Sequence, residues 1–193
     1  MIAKSYIPQT LLKEFVEAIV FFRGNGTGAA LQRMYQVIIF NMGDNFTVSE
    51  LYAPRPARHE HTGAIWINGK QDVPLMIENH GTTAMYVVGV KPGMLPYLAD
   101  LPACETNNLA VDAEHWTEKE IVNLHEQLLA CPDIHSGFLR IEQYLTARLL
   151  KRDLYNIEKI KWLNSAIHTH RVNDICQTLG ITRKKLRSET LQY

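Results

Sequence analysis

Cysteine is scarce in this sequence, and the three cysteines are widely separated. Cys104, Cys131 and Cys176 form no Cys-x-x-Cys pair. Disulfide-stabilised small domains and thiolate zinc sites both depend on numerous or closely spaced cysteines. The sequence therefore predicts neither feature, and this cysteine usage is typical of a reducing compartment.

Long apolar runs are missing as well. The longest early run covers residues 18–22, whereas a signal-peptide core needs about 7–15 apolar residues and a membrane-spanning helix about 20. We therefore expect a cytoplasmic protein with no membrane partner. The 193 residues are 46% hydrophobic, which is enough for one large folded domain or two small ones.

The whole chain has no net charge, but its two parts carry opposite net charges. Residues 151–193 hold nine Lys and Arg against four Asp and Glu, a net charge of +5. Because the chain sums to zero, residues 1–150 carry −5. A basic segment beside an acidic one favours a nucleic-acid-binding end joined to a different kind of domain. Chance clustering of cations on solvated helix faces is the alternative.

The first half of the chain has the pattern of short antiparallel strands. Residues 31–50 and 63–93 are rich in Val, Ile, Tyr, Phe and Thr, and turn-forming residues interrupt them every several positions. Asn68 and Gly69 predict a tight hairpin, because Asn-Gly favours positive φ. The predicted strands are residues 36–40, 46–48, 65–67 and 85–90. They indicate a small barrel or sandwich.

After residue 115 the apolar period becomes helical. Thr117 and Glu120 have the spacing of a capping box, and three helical patterns follow. Their apolar positions are Ile121, Leu124, Leu128 and Leu129 in the first, Ile134, Phe138, Ile141, Leu145 and Leu149 in the second, and Ile157, Ile160, Leu163 and Ile167 in the third. Strands first and helices afterwards predict an α+β fold.

Residues 172–186 have the spacing of a helix-turn-helix. The first helix should end at Gly180 in the left-handed conformation, and Thr182 should cap the second. A small residue in mid-helix, Cys176, and an apolar residue in the turn, Ile181, allow the two helices to cross closely. The apolar face of the first helix is predicted at Val172, Ile175, Cys176 and Leu179.

Three cations fall in the first turn of the second helix. There they oppose the positive end of the helix dipole, at a cost of roughly 0.3–1 kcal/mol each at low salt. An anionic partner reverses this preference, since the helix N-terminus and the cations together bind phosphates and reach base edges in a major groove. The predicted DNA-binding residues are Thr182, Arg183, Lys184, Lys185 and Arg187. A helical hairpin with solvated cations is the alternative.

The segment from Val172 to Leu186, with residues 157–163 before it, resembles the first helix-turn-helix of AraC-type transcription regulators. Residues 6–16, 37–44, 69–74 and 88–93 are similar to landmarks of a sensor domain found in some of these regulators. The resemblance implies a cupin-like antiparallel β-barrel over residues 1–112, a helical connector over 113–152 and a partial helix-turn-helix domain over 154–193.

The same resemblance implies a bacterial regulator rather than an enzyme, without a cofactor. Its barrel would bind a small effector, through residues the sequence does not identify, or serve dimerisation. Regulators of this family commonly act as homodimers. The apolar faces around residues 124–128 and 138–145 are candidate dimer contacts, unless they pack on the barrel or on each other.

Two departures from the family pattern affect the DNA-binding prediction. Ser188 and Thr190 stand near positions where the family usually has an Arg and an aromatic residue. The family's DNA-binding part also has two helix-turn-helix units, and this sequence reaches only the first. We therefore expect part of a longer protein that binds DNA weakly alone, because half of the groove-reading surface is missing.

His59, Glu60 and His61 suggest the HxH metal pair of cupins. However, no Glu follows His61 by three or four residues, and no His follows Pro92-Gly93. We therefore expect a solvated loop at residues 59–61 and no metal.

Two further clusters also predict structure rather than chemistry. Residues 24–28 are glycine-rich but lack the Lys-Ser/Thr of a P-loop, so a hairpin connection is expected. His125 and His135 are expected on partly exposed helix faces. Carboxylates surround Trp116 at the predicted start of a helix, where negative charge stabilises the helix through its dipole. These carboxylates are Asp112, Glu114, Glu118 and Glu120.

Two other functions are alternatives to a transcription regulator. They are a stand-alone ligand-binding or interaction module and a cupin-type enzyme.

Overall fold

The computed structural model describes residues 2–25, 28–30, 36–50, 58–61, 64–69, 75–99, 101, 106, 110–112, 120–151, 157–166 and 169–186. The strands are β1 (Ile2–Tyr6), β2 (Val16–Asn25), β3 (Gly28–Ala30), β4 (Gln36–Asn41), β5 (Phe46–Glu50), β6 (Arg58–His61), β7 (Ile65–Asn68), β8 (Leu75–Asn79), β9 (Thr82–Val90) and β10 (Ala110–Asp112). The helices are a 3-10 helix at Leu11–Glu14, then α1 (Leu95–Ala99), α2 (Glu120–Leu129), α3 (Ile134–Leu150), α4 (Ile157–Ala166) and α5 (Val172–Leu179).

The strands form two antiparallel sheets. One has the order β1-β2-β9-β4-β7-β10 and the other β3-β8-β5-β6. The chain passes repeatedly from one sheet to the other, as between β4 and β5, β7 and β8, and β8 and β9. This arrangement is a cupin-like antiparallel barrel, and helices follow it, so the predicted α+β fold is confirmed. The strands expected at residues 36–40, 46–48, 65–67 and 85–90 are all present.

The larger sheet buries apolar side chains on both faces. All six residues of β4 are buried. Ile38 and Phe40 belong to the main core with the helices, whereas Val37 and Ile39 pack in a second cluster with Phe46 of the smaller sheet. Because side chains alternate along a strand, one face of the sheet lies under the helices and the other faces the barrel interior.

Helices α2 and α3 cover the outer face of the larger sheet. Their buried residues in the main core are Ile121, Leu124, Leu128, Phe138, Ile141, Leu145 and Leu149. The faces at residues 124–128 and 138–145, considered above as dimer contacts, therefore pack on the barrel. The periodicity was wrong for Leu129, which is 59% exposed.

Three local predictions in the barrel were wrong. Asn68 and Gly69 close no hairpin, because β7 pairs with β4 and β10 and the next strand lies in the other sheet. Gly69 is required by space instead, since a Cβ there would lie 1.9 Å from the carbonyl oxygen of Thr106. Residues 24–28 join β2 and β3, which lie in different sheets, and residues 59–61 belong to β6 rather than to a loop.

Several predicted positions lie outside the described residues. They are Cys104, Glu114, Trp116, Thr117, Glu118, Ile167, Arg187, Ser188 and Thr190, together with the side chains of His59, Glu60, His61, Ile160 and Leu163. The domain boundaries at 112–113 and 152–154 border or fall within such segments and stay predictions. Of the helices in the described ranges, none has the length and apolar character that crossing a membrane requires.

Candidate DNA-binding helix-turn-helix

Helix α5 ends at Gly180 in the way the sequence predicts. Gly180 has φ 63° and ψ 31°, the left-handed conformation that glycine adopts at least cost. Its N–H donates to the carbonyl of Gln177 at 3.2 Å, and the N–H of Ile181 donates to that of Cys176 at 3.0 Å. This pair of hydrogen bonds is a Schellman motif, which satisfies carbonyls that the helix end would otherwise leave unpaired.

Thr182 begins the second helical segment, over residues 183–186. Its hydroxyl accepts a hydrogen bond from the N–H of Lys185 at 3.2 Å, and its carbonyl accepts one from the N–H of Leu186 at 2.9 Å. Thr182 is therefore an N-cap, as predicted, and its hydroxyl is engaged in this helix start.

A small apolar core fixes the crossing of the helices. Leu186 of the second segment packs with Ile175 and Cys176 of α5 and with Ala166 of α4, and all four are buried. Trp162, Leu179 and Ile181 pack against this core from its edges. Val172 was predicted to share the buried face but is 52% exposed, because it occupies the first turn of α5, beyond the small core.

The three described cations of the second helix lie on the outside of this pair of helices. Arg183, Lys184 and Lys185 are exposed, whereas Leu186 in the same turn is buried. The Nε of Arg183 donates a hydrogen bond to the Oδ1 of Asn173 in α5 at 2.7 Å. Four of the five predicted DNA-binding residues are thus brought together on one turn, and the fifth, Arg187, is outside the described residues.

Asn173 is a site residue that sequence reasoning missed. It is ten positions before Arg183, and the two side chains meet only because the helices cross. Asn173 accepts from Nε, and the two terminal nitrogens of the guanidinium have no hydrogen-bond partner among the described residues. A guanidinium with two unpaired terminal nitrogens suits a fork-shaped contact to two acceptors on an anion or a base edge.

Helix α4 links the helix-turn-helix to the barrel. The Nζ of Lys161 lies 3.0 Å from Oε2 of Glu14 in the 3-10 helix and 3.7 Å from Oε1 of Glu158. The hydrogen bond between Lys161 and Glu14 raises the pKa of Lys161 and lowers the pKa of Glu14. Ile157, at the start of α4, is buried in the main core. The two parts are therefore in direct contact.

A buried carboxylate attaches the amino-terminal segment to α3. Glu142 is 4% exposed, and its Oε1 accepts from the N–H of Gln9 at 2.9 Å and from the N–H and hydroxyl of Thr10 at 2.8 and 2.7 Å. Its Oε2 accepts from the Tyr6 hydroxyl. Burial raises the pKa of Glu142, but these hydrogen bonds outweigh it, and the pKa lies below its ordinary value. The hydrogen bond from Tyr6 to Glu142 raises the pKa of the Tyr6 hydroxyl to about 12.

The other candidate groups have structural contacts. His125 is half-buried, with Nε2 2.6 Å from the carbonyl oxygen of Asn41. His135 is exposed, and its ring forms a T-shaped pair with the Tyr6 ring at 6.0 Å between centroids. Glu120 forms an exposed ion pair with Lys151. Within the described ranges no three His, Cys, Asp or Glu side chains are grouped closely enough to hold a metal ion.

No family model and no curated protein matches this sequence. Among solved structures, ToxT from Vibrio cholerae, an AraC-family regulator, is 13% identical, with 99% of this chain and 76% of ToxT covered and a TM-score of 0.45. ToxT bound to (E)-4-(8-methylnaphthalen-1-yl)but-3-enoic acid is 15% identical, with 90% and 75% covered and a TM-score of 0.42.

A Cupin 2 conserved barrel domain protein from Salinispora arenicola is 16% identical. It matches 48% of this chain and 77% of its own, with a TM-score of 0.36.

Proposed function

We propose that this chain is part of an AraC-type transcription regulator that binds DNA through the helix-turn-helix of residues 172–186. The observation that carries the proposal is the exposed triplet Arg183, Lys184 and Lys185 on the first turn of a capped helix. Its position opposes the stability of the isolated helix, because cations at a helix N-terminus are unfavourable. A polyanion supplies the compensation, and the same turn is the part of a recognition helix that enters a major groove.

Charge around the triplet supports a nucleic-acid partner. Residues 169–186 contain four Lys and Arg against the single carboxylate of Asp174. A local excess of this kind attracts phosphates and releases their counterions, so binding depends on salt. In this proposal the helix that begins at Thr182 enters the groove, and α5 with the turn at Gly180 holds that helix in place.

The experiment is a titration of a fluorescently labelled short DNA duplex, followed by anisotropy over a series of salt concentrations. The natural chain should bind weakly at low salt. Arg183→Ala and Lys184→Ala should each weaken binding and reduce the slope of log K against log salt by about 1. Arg140→Ala is the matched control, since Arg140 is an exposed cation of α3 and should change neither quantity. Equal slopes in all four proteins would reject the assignment.

The remaining parts of the proposal concern the barrel and the assembly. We propose that the barrel with its covering helices senses a small molecule and that two copies pair in the cytoplasm, where the DNA partner is. Since the faces at residues 124–128 and 138–145 pack on the barrel, pairing would use other surfaces. Val122, Leu139 and Leu150 are apolar and exposed on α2 and α3. Sedimentation of the natural chain and of the Leu139→Lys variant tests whether two copies pair through this exposed apolar surface.

A ligand-binding module without DNA binding is the second candidate function. A cavity at the junction of the barrel and α3, described below, favours it. The DNA titration separates the two candidates, because such a module would show no binding at low salt.

A further inference from the structure

A cavity of about 380 Å³ lies between the outer face of the larger sheet and the turn that joins α2 to α3. Phe21 of β2 and Tyr86 of β9 line it from the sheet, and Leu128 and Ile134 line it from the helices. All four belong to or pack against the main core beneath the helices, so the cavity lies outside the barrel interior. Its volume is within the range of about 300–1,000 Å³ that small-molecule sites occupy.

The floor of the cavity is aromatic. The rings of Phe21 and Tyr86 are 4.7 Å apart between centroids, and both residues are buried. Leu129, on the rim, is 59% exposed. The Tyr86 hydroxyl donates to the carbonyl of Ile134 at 3.3 Å, which joins the two walls of the cavity. An aryl or branched apolar group placed here would contact the two rings and cover Leu129.

Two cations stand together on the sheet side. Lys4 of β1 is directly opposite Phe21 in the strand register, and Arg23 follows Phe21 by two residues, so all three are on one face. Diagonal neighbours of this kind have Cα atoms about 7–8 Å apart. The Arg23 guanidinium carbon lies 5.5 Å from the Phe21 ring centroid. Neither Lys4 nor Arg23 forms an ion pair with a carboxylate of the described residues.

Among the described residues that line the cavity, Asp133 is the one carboxylate, and it lies on the helix side. Asp133 caps α3, with Oδ1 accepting from the N–H of Ser136 at 2.8 Å and Oδ2 accepting from its hydroxyl at 3.0 Å. The N–H of Ser136 contributes most to holding the pKa of Asp133 below its ordinary value. The cavity therefore has a positive sheet side and a negative helix side, which gives an anionic ligand only one favourable orientation.

We propose that this cavity binds a small organic carboxylate, with the carboxylate between Lys4 and Arg23 and an aryl or branched apolar body over Phe21 and Tyr86. As an effector site it rests on the proposed function, but the binding itself does not. An occupant contacts β1 and β2 on one side and the start of α3 on the other, so it would stiffen the junction between the barrel and the connector helices.

Isothermal titration calorimetry of the natural chain with 4-phenylbutyrate tests the proposal, and the neutral 4-phenylbutanamide is the matched ligand. We expect the acid to bind more tightly than the amide. Lys4→Gln and Arg23→Gln should each lower the affinity for the acid by up to about fivefold, the size of an exposed ion pair. Neither substitution should change the affinity for the amide. Lys13→Gln removes an exposed cation that does not line the cavity and should have no effect.

Leu129→Trp supplies a second arm that is independent of charge. The residue is exposed, so the substitution should leave the melting temperature unchanged while its larger ring occupies the cavity and abolishes binding of the acid. The proposal is overturned if the natural chain does not bind the acid, or if acid and amide bind equally. It is also overturned if binding survives Leu129→Trp, or if neither Lys4→Gln nor Arg23→Gln weakens it.

Failure of this site is distinguishable from failure of the proposed function. The DNA titration described above is repeated with and without 4-phenylbutyrate. If the chain binds the acid but not DNA, the ligand site is supported and the regulator function is rejected. If the chain binds DNA but not the acid, the ligand site is rejected and the regulator function is supported.

Discussion

The Glu142 carboxylate accepts hydrogen bonds from both the N–H and the hydroxyl of Thr10, which lies 132 residues earlier in the chain. This contact, with those from Tyr6 and Gln9, fastens the first strand and the following segment to the middle of α3. The Tyr6 ring adds to it by stacking on Phe138 at 5.4 Å between centroids. One ionised side chain therefore helps to fix the position of β1 relative to α3.

Glu142→Gln should destabilise the chain and flatten its dependence on pH. The pKa of Glu142 in the folded protein lies below its ordinary value of 4.5, so its stabilising contribution is present above that value and is lost as pH falls through the folded pKa. At neutral pH we expect a loss of about 1–3 kcal/mol, as for a buried acceptor with altered partners.

Urea unfolding at a series of pH values measures this effect. Glu126→Gln, an exposed carboxylate of α2, is the control and should keep the natural profile. If the stability of Glu142→Gln fell on acidification as much as that of the natural chain, the Glu142 carboxylate would not be the cause of the pH dependence.

Gly180→Ala should weaken the helix-turn-helix through backbone strain alone. A Cβ at this position would meet nothing within 4 Å, but φ is 63°, which costs an L-residue roughly 1–2 kcal/mol. Gly180→Asn should cost less, because Asn tolerates this conformation better. Trp162 packs beside the small core, so the fluorescence change on unfolding of this part is the readout. Equal stability of the Ala and Asn variants would contradict the explanation.

Asn173→Ala should reduce DNA affinity without changing its dependence on salt. The substitution leaves every cation in place and removes only the acceptor that orients the Arg183 guanidinium. We expect a loss of about three- to tenfold, the size of one ordinary hydrogen bond, because the bond between Asn173 and Arg183 is exposed. Arg183→Ala should lower both the affinity and the salt slope, so the anisotropy titration distinguishes the two variants. Thr178→Ala, also exposed on α5, is the control.

The ion pair between Glu14 and Lys161 should couple the barrel to α4 measurably but weakly. Both side chains are about a third exposed, so solvent screening keeps the coupling energy below about 1 kcal/mol. In a double-mutant cycle, Lys161→Glu should destabilise the chain, and adding Glu14→Lys should restore most of the loss. Chemical denaturation of the four proteins gives the coupling energy. Additive effects of the two substitutions would show that the pair does not contribute.

Local periodicity predicted much of the fold because burial repeats along an element. The face of α3 formed by Phe138, Ile141, Leu145 and Leu149 was assigned correctly from spacing alone. The hairpin predicted at Asn68 and Gly69 was wrong, because the pairing of a strand depends on the whole sheet and not only on the residues that follow the strand. The same holds for the pairing of β2 with β9, which no turn joins.

The candidate site divides in the same way. Gly180, Thr182 and the cations could be located from the sequence, because a cap and a helix start depend on neighbouring residues. Asn173 and Glu142 could not, because their partners lie across a helix crossing or at the other end of the chain. No periodicity marks a polar residue whose partner is brought to it only by folding.

Helix α4 has one end in each of two cores, with Ile157 in the main cluster and Ala166 in the small one. Its ten residues span about 15 Å as a rigid rod. A tilt of about ten degrees at the first end would displace the second by roughly 2.5 Å for a rod of that length. Motion of this size is comparable to the distance between neighbouring atoms on a base edge, so in the proposed DNA complex the first turn of the second helix would change its position along the groove while keeping its own structure.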